Sequence, residues 1–158
     1  MSPEKISIGI RSEVVNFVEN QAKVAGERET GGIIGGRGTI EKHNVVITNA
    51  SGPGPRAIHE KAFFSRDTKY CQSLADTWAR KTLGNIDYLG EWHKHLEPNP
   101  WPSPRDIRTL KNIAGNKYYH VNNPILIIIG ISSQRESIKL FVFDKAGRFS
   151  QADWVISD

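Results

Sequence analysis

The sequence predicts an α/β domain in which a mixed β-sheet is flanked by helices. Apolar stripes of helical period alternate with short strand-like runs, in the order helix, hairpin, helix, strand, helix, strands. The run at residues 124–131 is apolar on both faces, which is typical of a central strand. A length of 158 residues suits one domain, spanning residues 1–158.

The first third of the chain predicts a helix followed by a hairpin. A helical stripe ends at Gly26, and a Gly-rich strand at residues 31–36 follows it. A turn at residues 37–38 then leads into a second strand around residues 45–47. The apolar stripe of this helix consists of Val14, Val15, Val18, Ala22 and Ala25.

The middle of the chain predicts a second helix and the strand that follows it. Residues 57–64 are a candidate strand, and Ser65 is a candidate N-cap for the helix. The helix ends at residues 84–85, and residues 88–95 form the next strand. The predicted buried face of the helix consists of Tyr70, Cys71, Leu74, Ala75 and Trp78.

The last third predicts one more helix and the remaining strands. Ser103 is a capping hydroxyl and Pro104 stands in the first turn, while Gly115 ends the helix. Residues 138–143 are the hairpin partner of the central strand, and residues 149–156 add an edge strand. The apolar stripe of this third helix consists of Ile107, Leu110, Ile113 and Ala114.

Composition excludes several classes of protein. The longest apolar run, residues 125–131, is far too short to cross a bilayer, and charged residues interrupt the first apolar positions of the chain. The single cysteine, Cys71, excludes an internal disulfide framework and a Cys-rich zinc site. We therefore expect a cytoplasmic protein with no membrane partner.

The charge balance is mildly basic, with a net charge of +4 and a sequence pI of about 9.3. A basic surface can meet nucleic acid or an acidic protein. The charges are scattered along the chain, however, which also suits a solvated surface with no special partner. Nucleic acid is therefore not an expected partner.

The polar motif that carries chemistry is His93-Lys94-His95, followed after seven residues by Ser103 and Asp106. Side chains alternate across a strand, so imidazoles two residues apart point to the same face. A carboxylate at the start of the next helix can complete a three-ligand set. Two imidazoles and a carboxylate, with a fourth position for water, are typical of a catalytic zinc. One zinc ion per chain is the predicted cofactor.

Each of these residues also has a simpler interpretation. A His-x-His pair arises by chance on protein surfaces. Asp106 stands where a capping box places an acidic side chain, although Glu or Gln is preferred there. Ser103 can be only a helix cap.

A hydrolytic zinc site also needs a base for the attacking water. Acidic candidates are Glu27, Glu29, Glu91 and Glu97. Glu91 shares strand parity with the two histidines, which favours it as the base or even as a ligand. Glu29 precedes a Gly-rich strand that allows close backbone approach. Spacing alone leaves both possibilities open.

Taken together, three segments of the chain resemble the JAMM (MPN-plus) metalloproteases. The segments are Glu29-Thr-Gly-Gly-Ile-Ile-Gly35, Tyr88-Leu-Gly-Glu-Trp-His-Lys-His95 and Ser103-Pro-Arg-Asp106. The family pattern is a Glu before a Gly-containing strand, then His-x-His, seven residues and Ser-x-x-Asp. The resemblance implies a cytidine-deaminase-like (MPN) sandwich and a zinc-dependent isopeptidase or peptidase. Such an enzyme cleaves after the C-terminal tail of a ubiquitin-like protein.

Carried over position by position, the resemblance implies that His93, His95 and Asp106 bind zinc. It makes Glu29 the general acid/base and gives Ser103 a supporting role at the water or the oxyanion. One departure is visible, because Leu96 stands where the family usually has Pro directly after the second histidine. The prolines of the same loop can preserve its path.

A narrower resemblance is to bacterial JAMM proteins of antiphage operons, the CBASS and Bil types. It rests on residues 90–95 and 65–71. The implied partners are a ubiquitin-like protein or its conjugate, and relatives of ubiquitin-activating and ubiquitin-conjugating enzymes. The implied role is precursor processing or deconjugation in antiviral defence.

Substrate tails of this kind are extended, and such a tail can add as a strand beside an exposed edge. Residues 51–64 and 97–102 are the candidate walls of its groove, with Trp101 packing on the tail. Trp101 is equally a candidate anchor for its own loop. Two alternatives remain for the whole chain: a catalytically silent domain of the same fold, or a nucleic-acid-linked member of it.

Overall fold

The computed structural model describes residues 5–59, 64–132 and 134–158. Its helices are α1 (Ser12–Ala25), α2 (Thr68–Lys81) and α3 (Pro104–Gly115), and Arg135–Ser137 form a short 3-10 helix. The strands are β1 (Ser7–Ile10), β2 (Thr30–Arg37), β3 (Val46–Ala50), β4 (Ile58–His59), β5 (Phe64–Ser65), β6 (Asp87–Lys94), β7 (Ile125–Ile129), β8 (Ile138–Phe143) and β9 (Phe149–Ile156). Of the helices in these described ranges, none has the length and apolar character that a bilayer crossing requires.

Seven strands form one mixed sheet in the order β1-β3-β2-β6-β7-β8-β9, and β9 pairs back to β1. The pairs β1–β3, β1–β9 and β6–β7 are parallel, whereas the others are antiparallel. The predicted mixed sheet with helices is confirmed. The prediction that 149–156 form an edge strand is wrong, because β1 covers the open side of β9 and closes the sheet.

The central strand β7 is buried on both faces, as its sequence predicts. One face of β7 carries Ile125, Ile127 and Ile129, which pack in the cluster that contains the apolar stripe of α1. The opposite face carries Leu126 and Ile128, which pack in the cluster that contains residues of α2 and α3. The helices therefore lie in two layers, and the sheet separates α1 from α2 and α3.

The start of α2 differs from the sequence prediction. The N-cap is Asp67, whose side chain accepts a hydrogen bond from the backbone N–H of Tyr70. Ser65 instead belongs to β5, which pairs antiparallel with β4. The predicted strand at 57–64 is therefore two short strands, and residues 60–63 between them lie outside the described part of the chain.

The buried face of α2 is also narrower than predicted. Cys71 and Ala75 are buried, but Tyr70 is 40% exposed. Leu74 and Trp78 are half-buried.

Candidate metal centre

The register of β6 divides its side chains between the two layers of the fold. Trp92 packs in the α1 cluster, and the Lys94 side chain reaches the carbonyl oxygen of Ala22 in α1. The alternating residues Glu91 and His93 therefore point to the opposite face, toward α2 and α3. The next residue of that parity, His95, lies just past the strand and is held there because its N–H donates to Ile129 O.

The N-terminus of α3 brings Asp106 to the same place. Ser103 caps the helix by accepting from Asp106 N at 3.1 Å, and Ser103 N donates back to Asp106 Oδ2 at 2.9 Å. This is the reciprocal capping box, with Pro104 in the first turn. The capping interpretation of both residues is therefore correct, and it fixes the direction in which the carboxylate points.

The same carboxylate also faces both histidines. Asp106 Oδ1 lies 3.0 Å from His93 Nδ1, and Asp106 Oδ2 lies 3.1 Å from His95 Nε2. The three side chains each offer one ligand atom, and those atoms all lie within 4.8 Å of one another. Two imidazole nitrogens and one carboxylate oxygen at this spacing suit a transition-metal ion with one open coordination position. The residues present thus match the metal that the motif implies.

The ionisable side chains of this cluster shift one another's pKa values. Burial lowers the pKa of His93, but its hydrogen bonds to Asp106 and Glu91 outweigh burial and raise it to about 10. Burial raises the pKa of Asp106, yet the hydrogen bonds from His93 and His95 bring it well below its usual range. Without a metal, the carboxylates therefore attract positive charge at the point where the donors converge.

The start of β2 carries the predicted base. Thr30 pairs with Lys94 and Gly31 with His93 across the β2–β6 ladder, which places Glu29 directly before the first residue of β2, beside the histidines. Glu29 lines the same cleft as the three donors. Burial raises its pKa, and the neighbouring His95 acts against that increase. A carboxyl group with a raised pKa is suited to taking up and returning a proton.

Gly31 is required by this arrangement. A Cβ atom added there would lie 2.3 Å from Trp92 O and 2.9 Å from both the His93 ring and the Phe64 ring. The glycine run after Glu29 therefore permits the imidazole of His93 to lie over the neighbouring strand.

The second base candidate, Glu91, has a different position. Its Oε1 lies 3.0 Å from His93 Nε2, the ring nitrogen that does not face Asp106, and its Oε2 accepts from Arg66 Nε at 3.1 Å. Both carboxylate oxygens are thus engaged by protein groups. The geometry places Glu91 behind a candidate ligand, neither among the clustered donor atoms nor free to act on water.

A cleft of about 750 Å³ opens over the donors. Residues 64–66 form one wall, Leu96 and Glu97 another, and the first turns of α3 a third. Phe64 lies at the end of the segment 51–64 that the sequence predicts as a wall of the groove, whereas sequence reasoning did not assign Arg66 to the site. The arginine carries no local signal, because only the folded chain shows that it meets Glu91.

Trp101 is not among the described residues that line this cleft. Its ring packs edge-on against Phe141 and Phe149, with centroid separations of 5.1 and 5.8 Å, and it remains 53% exposed. The structure thus gives Trp101 the contacts of a loop anchor. Its contact with a substrate tail stays a prediction.

Fold and donor set together define a protein of the JAB1/MPN class. A JAB1/MPN domain protein from Archaeoglobus fulgidus shares this fold with a TM-score of 0.55 over 94% of this chain and 98% of its own, at 15% identity. Residues 13–143 match the family described as prokaryotic homologs of the JAB domain, and the chain belongs to that family.

The chain is also similar to two proteins that are named as an isopeptidase and as a probable metalloprotease. A CD-NTase/cGAS isopeptidase from Enterobacter hormaechei is 31% identical over 124 residues, which cover 78% of this chain and 67% of that protein. A probable metalloprotease from Sinorhizobium fredii is 32% identical over 126 residues, covering 77% of this chain and 74% of that protein. Other relatives named CD-NTase/cGAS isopeptidase match over only 64% and 53% of their own length.

Proposed function

We propose that the protein is a zinc-dependent isopeptidase or peptidase that cleaves after the C-terminal tail of a ubiquitin-like protein. The observation that carries the proposal is the convergence of His93, His95 and Asp106, whose ligand atoms lie within 4.8 Å of one another, in a cleft that Glu29 also lines. The names of the isopeptidase and metalloprotease relatives support the same reaction class.

The proposed roles follow from the positions of the side chains. His93, His95 and Asp106 hold one zinc ion, which supplies Lewis-acid polarisation of the scissile carbonyl and a water of lowered pKa. The Glu29 carboxylate takes the proton of the attacking water and returns it to the leaving amine. Its raised pKa makes the carboxylate a better acceptor for the proton of the attacking water.

Ser103 has a structural role and a proposed chemical one. Its Oγ accepts from Asp106 N, so one of its lone pairs is used by the helix cap while the hydroxyl proton can be donated elsewhere. Because Ser103 lines the cleft beside the donors, we assign that proton to the developing oxyanion. Such a donor is worth about a few kcal/mol of transition-state stabilisation.

The substrate is proposed to be an extended tail bound along the cleft. Residues 64–66 on one side and Leu96 and Glu97 on the other give the cleft two walls. Leu96 replaces the proline that is usual in JAMM proteins, and it lines the cleft in which the tail is proposed to lie. Residues 51–64, residues 97–102 and Trp101 remain the proposed outer walls of the groove.

The proposed setting is bacterial antiphage defence in the cytoplasm. The relatives named CD-NTase/cGAS isopeptidase suggest a modified nucleotidyltransferase as one kind of target. A ubiquitin-like modifier and activating- and conjugating-type enzymes of the same operon are the proposed partners. We propose that residues 1–158 form the single domain that carries this activity.

The test combines metal analysis with cleavage. The purified protein is expected to hold one zinc per chain and to cut a fusion of a ubiquitin-like protein at its tail. A chelator is expected to abolish cleavage, and zinc to restore it. Asp106→Ala is expected to lose both metal and activity, whereas Asp153→Ala, an exposed aspartate on β9, keeps both. Zinc without cleavage of any ubiquitin-like fusion would favour a silent domain, and absence of zinc would refute the proposal.

A further inference from the structure

Of the two candidate histidine ligands, only His93 has a described carboxylate facing each of its ring nitrogens. Its Nδ1 faces Asp106 and its Nε2 faces Glu91, each at 3.0 Å. A proton on Nε2 donated to Glu91 leaves the Nδ1 lone pair directed toward Asp106 and the other donor. Glu91 therefore selects both the tautomer and the ring orientation that metal binding requires.

Glu91 is in turn fixed by an arginine from another part of the chain. Arg66 Nε donates to Glu91 Oε2 at 3.1 Å, and Arg66 Nη2 donates to Tyr119 OH at 3.4 Å. The side chains of Arg66 and Glu91 are only 14% and 4% exposed. Burying such a pair costs desolvation energy that can exceed its attraction, so stability alone is a weak reason for its presence.

The arginine also connects the imidazole to the cleft wall. Arg66 directly follows β5, and Phe64 in β5 packs edge-on against the His93 ring with a centroid separation of 5.9 Å. Phe64 thus contacts His93 directly, and Arg66, two residues later, contacts it through Glu91. Both residues line the cleft in which we place the substrate.

We propose that Glu91 and Arg66 are positioning residues for the metal ligand His93, with Arg66 acting through Glu91. The inference rests on the proposed metal site. Partners of this kind typically contribute about 10- to 100-fold to metal affinity. Arg66 thereby makes the affinity for metal depend on the placement of residues 64–66, the wall that a bound tail would contact.

The first experiment measures zinc affinity by competition with a chromophoric chelator for the parent, Glu91→Gln and Glu97→Gln. Glutamine has a single acceptor oxygen, so it can satisfy His93 or Arg66 but not both. Glu91→Gln is therefore expected to weaken zinc binding about 10-fold or more. Glu97→Gln removes the same charge from the same cleft without touching His93 and is expected to change affinity less than about threefold, a small fraction of that effect.

A double-mutant cycle tests whether Arg66 acts through Glu91. Arg66→Met is expected to weaken zinc binding in the parent but to add little in the Glu91→Gln background, because the shared pathway is already broken. Arg66→Lys keeps the charge and is expected to recover part of the affinity. The visible spectrum of the cobalt-substituted protein, which reports ligand geometry, is expected to change in Glu91→Gln and not in Glu97→Gln.

The outcomes separate this inference from the proposed function. A parent protein that binds no zinc refutes the metal site itself. A parent that binds zinc while Glu91→Gln binds it equally well, or while both glutamine variants weaken binding to the same extent, refutes the positioning role alone. If Glu91→Gln does not fold, the comparison of Arg66→Lys with Arg66→Met decides, and equal affinities in those two variants refute it.

Discussion

The Nζ atom of Lys94 lies 2.7 Å from the carbonyl oxygen of Ala22 and also donates to the carbonyl of Gly26. Lys94 stands between the two candidate ligands in sequence, yet it points to the opposite face of β6. Its side chain is buried, and its ammonium group supplies donors to carbonyls at the C-terminal end of α1. The strand that presents the histidines thereby also anchors the segment that leads into Glu29.

Replacing Lys94 with Met is expected to destabilise the fold. The substitution nearly keeps the length of the side chain but leaves the buried carbonyl of Ala22 and the carbonyl of the C-cap Gly26 without their charged donor, a loss of about 1–3 kcal/mol. Urea unfolding of the metal-free protein measures it. Lys23→Met, which removes an exposed lysine from the same turn of α1, is the control and is expected to stay within about 0.5 kcal/mol. Equal stability of the two variants would contradict the capping role.

Replacing Glu29 with Gln is expected to remove turnover without removing metal. The amide cannot accept the proton of the attacking water, so kcat is expected to fall about 10²- to 10⁴-fold. Glu29 is not one of the clustered donors, so zinc stoichiometry is expected to stay at the parental value. Turnover of a ubiquitin-like fusion and metal analysis are measured on the same preparation.

Glu27→Gln is the matched control for this prediction. Glu27 is an exposed acid two residues earlier in the chain, and its loss is expected to leave kcat unchanged. A Glu29→Gln variant with parental turnover would remove Glu29 from the mechanism.

Much of the fold was predictable because its signals are local. The stripe of α1, the both-sided burial of β7 and the Ser103 cap of α3 all follow from patterns within one turn or one strand. Closure of the sheet was not predictable in this way. It depends on the four residues of β1, which pair with β9 from the far end of the sequence.

Part of the candidate site was likewise predictable from local signals, and part of it depends on contacts between distant segments. Strand parity places His93 and His95 together, and a helix start places Asp106 near them. Parity could not separate Glu29 from Glu91, because the two acids differ in cross-strand register and in the contact of Glu91 with Arg66, which only the folded chain shows. The resemblance to JAMM proteins chose Glu29, and the structure shows what occupies Glu91 instead.

Replacing Trp101 with Ala distinguishes its two proposed roles. The contacts of its ring with Phe141 and Phe149 predict a loss of about 1–3 kcal/mol of stability, since half of the side chain is already exposed. Thermal unfolding measures this loss, and Tyr118→Ala, which removes a more exposed ring, is expected to cost less. A several-fold increase in KM with unchanged stability would instead support the contact with the tail.

The cap of α2 predicts a pH-dependent contribution to stability. Hydrogen bonds from the backbone N–H groups of Tyr70 and Arg56 lower the pKa of Asp67 below its ordinary value of 3.8. The folded state therefore favours the carboxylate, and its contribution is present above the unfolded pKa and lost as pH falls through the lower folded pKa. Asp67→Ala is expected to lower the melting temperature at neutral pH, with the difference from the parent shrinking in acid.

Two further variants make the assignment of this cap specific. Asp67→Asn keeps an acceptor for the Tyr70 N–H but does not titrate, so its stabilising effect relative to Asp67→Ala is expected to be independent of pH. Ser65→Ala removes the hydroxyl that the sequence favoured as the cap and is expected to change stability by less than about 0.5 kcal/mol. Thermal unfolding of the metal-free variants between about pH 3 and pH 7 follows the titration, because Asp67 loses its charge only near the acid end. A larger loss in Ser65→Ala than in Asp67→Ala would return the start of the helix to Ser65.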